Sequence, residues 1–243
     1  MEINVSKGFE NYSQRNNVLV PNSACGPTNF IQGLEYSGWV WNNKLFPELK
    51  QPEDKLTKFC RTNKDVLAYY EKYYKNLYDN WMAEAHQLAK EQKKQYWEVD
   101  CKKNYPPNEI HDVMNYAANL FIGYTAKEVS KIERPVCRFF NSFEERTVLC
   151  QLDQGLPVVS SVNFNGYGHY ITIVGYTSDE TKEIILGDQI KEYIIDNTYG
   201  RFNFKTNKYD AVSGNDEHIP RDKFLTMIKP VMHIFTKGAA KVC

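Results

Sequence analysis

Hydrophobic positions along this chain follow a helical period first and a strand period later. From Thr28, the residues Phe30, Ile31 and Leu34 recur at three- and four-residue steps, and Gly38 ends the run. Before it, residues 1–24 are polar and turn-rich apart from Val18-Leu19-Val20-Pro21. "WVWNNKLFPELKQPED", residues 39–54, reads as a loop punctuated by Pro47 and Pro52. A long helix is predicted over 64–99, where Val66, Tyr70, Tyr73, Leu77, Trp81, Ala85 and Leu88 form an apolar stripe. Such a stripe suits a core or a docking face, and "KEQKKQ" is its solvated side. Pro106-Pro107 breaks the pattern, and a second helix follows over Glu109–Leu120 with Ile110, Val113, Ala117 and Leu120 on one face.

Ser142 and Glu145 have the spacing of a capping box, Val148, Leu149 and Leu152 supply an apolar face, and Gly155 stands where a helix stops. From there the runs "PVVSSVNF", "HYITIVGY", "EIIL" and "YIID" are short, β-branched and aromatic, and bounded by Gly, Asn and Asp. A last short helix is expected after Pro220, with Phe224, Leu225 and Ile228. Helices first and strands later is an α+β order. The expectation is one domain over 1–243, with a helical block at about 51–105 inserted into it.

Composition narrows the function classes. The 243 residues are 42% hydrophobic, enough for a core, and 30 basic against 30 acidic residues give no net charge. That balance removes a global electrostatic case for nucleic acid or an anionic membrane. No stretch approaches the roughly 18 apolar residues of a membrane span. "MEINVSKGFENYSQRNN" lacks the apolar run of a signal peptide, so the expected location is cytoplasmic, with release by lysis or a holin as the other route. The six cysteines (Cys25, Cys60, Cys101, Cys137, Cys150 and Cys243) are then read as reduced thiols. They form no CxxC pair, and His86, His111 and Cys101 lack ligand spacing, so neither a metal nor a cofactor is expected.

The chemistry concentrates at "NSACGPTNF". A cysteine is often just a small buried hydrophobe. At a helix start, however, unpaired N–H groups and the helix dipole favour the thiolate. Cys25 is the candidate nucleophile, and Gly26 lets a carbonyl approach the backbone. "NGYGHYITIVGY" offers His169 at the mouth of a strand, where it would be partly exposed and rigidly held, as a general base. Asp196 in "YIIDNTYG", 27 residues further on, is a candidate to orient the imidazole, with Asp188 and Asn197 as alternatives. The oxyanion donors would be the Cys25 N–H and a side-chain amide, either Gln14 in "YSQRNN" or Asn22. Each residue alone has an ordinary structural explanation; the ordered set favours a thiol hydrolase.

These segments resemble the papain-like cysteine peptidases, in the branch typified by bacteriocin leader-processing peptidases (the C39-like branch) and their free-standing bacterial and phage relatives. The resemblance rests on "YSQRNN…NSACGPTNF", "SFEERTVLCQLDQGLPVVSSVNFNGYGHYITIVGY" and "IIDNTYG", covering 9–38 and 142–203 well and 39–141 poorly. It implies a papain-like fold, with Cys25 as nucleophile at a helix N-terminus, an antiparallel sheet carrying His169 as base and Asp196 as orienter, and Gln14 in the oxyanion hole. Asp196-Asn197 stands where the family often has Asp-Pro. The long His-to-Asp interval implies an extra β-hairpin around 178–193, and the helical block is larger than the family's. The implied substrate is a protein or peptide; a peptidoglycan stem peptide is the alternative, and acyl transfer ranks below both. A reading from another class is a catalytically inactive peptidase fold acting as a binding module through its aromatic helix.

Overall fold

The structure is a computed structural model that describes residues 1–9, 12–41, 44–123, 127, 136–164, 166–179, 187–206, 208–210 and 213–238. The run "EIIL" and most of the turn of the expected hairpin around 178–193 lie outside the described residues. The architecture is α+β. The chain divides into two compact units: Met1–Ser13, Gln32–Val40 and Val136–Cys243 form the first, Gln14–Ile31 and Trp41–Pro135 the second.

The first unit is built on an antiparallel sheet. Its strands are β1 (Glu2–Asn4), β2 (Cys137–Phe140), β3 (Val158–Phe164), β4 (Tyr167–Ser178), β5 (Ile190–Asn197), β8 (Gly214–Pro220) and β9 (Ile228–Phe235). They lie in the order β2-β9-β3-β4-β5-β8, and β1 pairs with Gly175–Thr177 of β4, beyond the end of β3. A separate ribbon joins β6 (Phe202–Asn203) to β7 (Lys208–Tyr209). β-branched runs drive β3, β4 and β5, as their sequences predict. β1, β2 and β9 escape that reading. β9 carries Pro230, which a central strand tolerates only at a bulge, and the β3–β9 register shifts between Ser160 and Val162, facing that proline.

Alternation along β4 and β5 sorts side chains to two faces. Ile171, Ile173, Tyr193 and Ile195 enter the main core with Val158, Val162 and Phe164 of β3. That face is covered by helices α6 (Glu145–Asp153) and α7 (Arg221–Met227), which contribute Val148, Leu149, Leu152 and Phe224. Val174 and Ile194 face the other way, toward Tyr36. The expected capping box at Ser142 does not form. The N-cap is Glu144, without a side-chain cap, and Glu145 instead receives both a bidentate bond from Arg221 (2.8 Å each) and the Tyr193 hydroxyl (2.8 Å). Burying Tyr193 beside a charged pair outweighs a local cap. The stop at Gly155 does form: it sits at φ 76°, and Leu156 N–H reaches Gln151 O at 3.0 Å, a Schellman closure.

The second unit is helical: α2 (Pro52–Thr62), α3 (Lys64–Tyr73), α4 (Lys75–Gln92) and α5 (His111–Phe121), with 3-10 turns at Gln14–Asn16, Tyr96–Glu98 and Pro107–Glu109. Pro52, read as a loop residue, is instead the first residue of α2, where its missing N–H and fixed φ suit a helix start. The predicted 64–99 helix is broken at Tyr74 (φ −137°, ψ 41°). No proline or glycine marks the break; it coincides with Tyr69 and Tyr74 both donating to Asp112 of α5, at 2.8 and 3.1 Å. Val66, Tyr70, Trp81 and Ala85 of the aromatic stripe are fully buried, with Tyr70 and Trp81 ring centroids 6.1 Å apart. These four residues belong to the core of the unit, while Tyr73 of the same stripe is exposed. Helix α1 (Cys25–Tyr36) starts in the second unit and ends, from Gln32, in the first.

Candidate functional site

Cys25 is the first residue of α1 and is partly exposed, with a thiol not engaged in a disulfide. The helix opens with Thr28 N–H on Ala24 O at 3.0 Å. Cys25 and Gly26 therefore carry N–H groups without an acceptor inside the helix, while Pro27 has none to satisfy. Such a terminus stabilises negative charge on sulfur and on an oxygen beside it.

The surrounding turn is held by buried polar side chains. Asn108 donates to Ser23 O (2.6 Å), and its carbonyl lies so close to Gly26 that a Cβ there would stand 2.3 Å from it. Only glycine fits that approach. Arg61, fully buried on α2, donates to Asn108 Oδ1 (2.7 Å), Val99 O (2.9 Å) and Trp97 O (3.3 Å). Glu109 is pushed up to about 7 by burial, against the Ser23 hydroxyl and the Arg61 charge, which pull it down. Sequence reasoning missed Arg61 and Asn108. The signal available was weak: an arginine inside an amphipathic helix, and an asparagine after two prolines.

Gln14 is buried in the 3-10 turn Gln14–Asn16, in the same unit as Cys25. Its amide donates one hydrogen to Pro21 O at 3.0 Å. Asn22, the other amide considered for the oxyanion, is exposed and donates to Asp100 at 3.1 Å.

In the first unit, His169 is the third residue of β4 and faces Val162 of β3. It is buried, at 7% exposure, where partial exposure was expected. The rings of Phe164, Tyr209 and Tyr199 stand around it at 6.1, 6.0 and 6.3 Å; Tyr199 lies in the turn after β5 and Tyr209 in the short strand β7, which the sequence pattern did not mark. Burial pushes the imidazole down to about 4, and only its bond to Asn197 pulls the other way. It is thus neutral at pH 7.

Asn197 Oδ1 is 3.0 Å from His169 Nε2. The same oxygen accepts the Tyr199 N–H at 3.3 Å, which identifies it as the acceptor end of the amide. The imidazole must therefore donate Nε2–H to Asn197, leaving Nδ1 as the basic nitrogen. Burial pushes the carboxyl of Glu217 up to about 7, and Asn197 pulls it down.

Asp196, the residue expected on the imidazole, is directed elsewhere. Its carboxylate accepts Tyr36 Oη (2.9 Å) and Asp216 N–H (3.0 Å), and burial pushes it up to about 7. Strand alternation explains this. His169 shares the face of Ile171, two residues on, and Asn197 that of Ile195, two residues back. Asp196 points with Ile194 toward Tyr36. That parity was readable in the sequence and selects Asn197. Asp188 is exposed in the turn before β5, beside Ile190, which pairs with Ser178. Ser178 is nine residues along β4 from His169, roughly 30 Å at strand rise.

Among the described residues no group of three His, Cys, Asp or Glu is placed to hold a metal, and no helix is long and apolar enough to cross a membrane. In the comparisons with known proteins, the model of the peptidase C39-like family matches residues 6–216. No curated protein and no solved structure matches the chain.

Proposed function

The chain belongs to the peptidase C39-like family, and from that premise we propose that it is a papain-like cysteine peptidase that hydrolyses an amide bond of a peptide or protein, using Cys25, His169 and Asn197. Cys25 thiolate attacks the carbonyl carbon. The oxyanion forms against the N–H groups at the start of α1 and the Gln14 amide. His169 Nδ1 takes the thiol proton and gives it to the leaving amine, and water then hydrolyses the thioester. Asn197 holds the imidazole in the Nε2–H tautomer, so that Nδ1 is the nitrogen left to act as the base. Asp196 ties the last turn of α1 to the sheet through Tyr36.

The observation that carries this reading is the Asn197–His169 bond at 3.0 Å with its tautomer fixed by Tyr199 N–H. The aromatic stripe gives a binding-module reading little support, because Tyr70 and Trp81 are core residues.

The test is hydrolysis of fluorescein-labelled casein by the parent, Cys25→Ala, His169→Ala and Asn197→Ala proteins. Loss of turnover in the first two is expected, in proteins that still unfold cooperatively. Full turnover by Cys25→Ala would overturn the mechanism. A peptidoglycan suspension run in parallel separates the substrate classes, since a peptidase confined to proteins clears no turbidity.

A further inference from the structure

Helix α2 touches both segments that carry the proposed nucleophile and oxyanion amide. Asp54, Thr57 and Arg61 lie on one face of it, at spacings of three and four residues. At its N-terminal end, Asp54 Oδ1 accepts Val18 N–H (2.9 Å) and Thr57 Oγ1 accepts Asn17 Nδ2 (3.2 Å). Asn17 in turn accepts the N–H groups of Leu19 and Val20 (3.1 and 2.8 Å) and donates its own N–H to Gln14 O (3.0 Å). This fixes the segment from Gln14 to Pro21. Two turns on, Arg61 holds Asn108, and Asn108 holds Ser23 and seats Gly26. Cys60 adds a second contact, 3.5 Å from Met114, whose side chain also packs against Gly26. All of these residues lie in the second unit.

We propose that α2 is a splint: Asp54 and Thr57 position the Gln14 turn, Arg61 through Asn108 positions the Cys25 turn, and the helix keeps the two in register while touching neither substrate nor thiol. This rests on the proposed cysteine-peptidase reading and gives the helical block a role in catalysis. Asp54, Thr57 and Asn108 are positioning residues.

Two probes separate the two ends. Iodoacetamide alkylates Cys25 without forming an oxyanion; p-nitrophenyl acetate acylates it through a tetrahedral oxyanion. Thr57→Val should leave the pH profile of Cys25 alkylation unchanged and slow acylation by about tenfold, as a modest misplacement of an oxyanion donor does. Thr57→Ser should restore it. Asn108→Ala should slow both reactions and move the alkylation profile to higher pH. If Thr57→Val fails to fold, Asp54→Ala tests the same end and should behave as described for Thr57→Val. Parental rates for both probes in Thr57→Val, or a parental alkylation profile in folded Asn108→Ala, would overturn the splint. Acylation that persists in Cys25→Ala would instead overturn the catalytic reading.

Discussion

The turn bearing Cys25 and the strand bearing His169 are held by different means. The Cys25 turn depends on two side chains in series, Arg61 holding Asn108 and Asn108 holding Ser23. His169 sits in a strand paired on one edge by β3 and farther along by β5, so its backbone is fixed by a ladder and only its ring by side chains. Side-chain scaffolds fail at one substitution; ladders do not. The nucleophile's position is therefore the more fragile half of the proposed chemistry.

The largest expected contrast is in stability. Arg61→Met leaves two buried acceptors, Asn108 Oδ1 and Val99 O, and the partly buried Trp97 O without their donor, and should cost about 3 kcal/mol or more. His169→Ala should cost less, about 1–3 kcal/mol, because it empties a small aromatic pocket but leaves the ladder and the Tyr199–Asn197 bond in place. Urea unfolding of both variants measures the difference, and equal losses would contradict it.

Neighbouring residues give the next contrast. Asn197→Ala should lower casein turnover per folded molecule by roughly 10²-fold, because general-base catalysis needs the oriented ring, on top of a stability loss of about 1–3 kcal/mol from the stranded His169 Nε2–H and Tyr199 N–H. Asp196→Ala should also destabilise by about 1–3 kcal/mol, through the stranded Tyr36 hydroxyl and Asp216 N–H, but with a smaller effect on turnover per folded molecule.

Two glycines refine it. An alanine Cβ at Gly26 would meet Asn108 O at 2.3 Å, and one at Gly175 would meet Ile3 O at 2.0 Å. Both substitutions should cost about 1–3 kcal/mol. Only Gly26→Ala should slow alkylation of Cys25, as Gly175→Ala displaces strand β1 alone.

The last contrast is in pH dependence, where the two effects have opposite signs. His169 lies near 4 in the folded chain against an ordinary value of 6.5, so the unfolded chain binds more protons between those values. Its contribution is complete above pH 6.5 and is lost as pH falls toward 4. Glu53, pushed up to about 7 by burial, retains its proton when folded, so its contribution is complete at low pH and is lost as pH rises through 7. Glu53→Gln should therefore raise the melting temperature at pH 8, by about 2–4 °C per kcal/mol gained, and leave it unchanged at pH 4. His169→Ala should flatten the pH dependence of melting between 4 and 6.5.

What could be read beforehand follows the same division. The helix start at Cys25, the stop at Gly155 and strands β3 to β5 are local patterns, and the structure forms them. The break at Tyr74, the diverted Glu145 and the central strand β9 are set by distant partners: Asp112, Arg221 with Tyr193, and a bulge facing Pro230. Strand parity, though local, points to Asn197 beside His169. The Arg61–Asn108 support was not legible, because nothing in a linear pattern says that an arginine on α2 meets an asparagine 47 residues away.

The most direct test of the account is site-resolved iodoacetamide alkylation against pH, read by mass spectrometry in the parent and in His169→Ala. Burial pushes the thiols of Cys60 and Cys101 up, Cys101 to about 11, so both serve as slow internal references. The account predicts that Cys25 reacts at lower pH than either and that its profile shifts when His169 is removed. A Cys25 profile identical in the two proteins would contradict the thiol–imidazole pair on which the proposed peptidase chemistry depends.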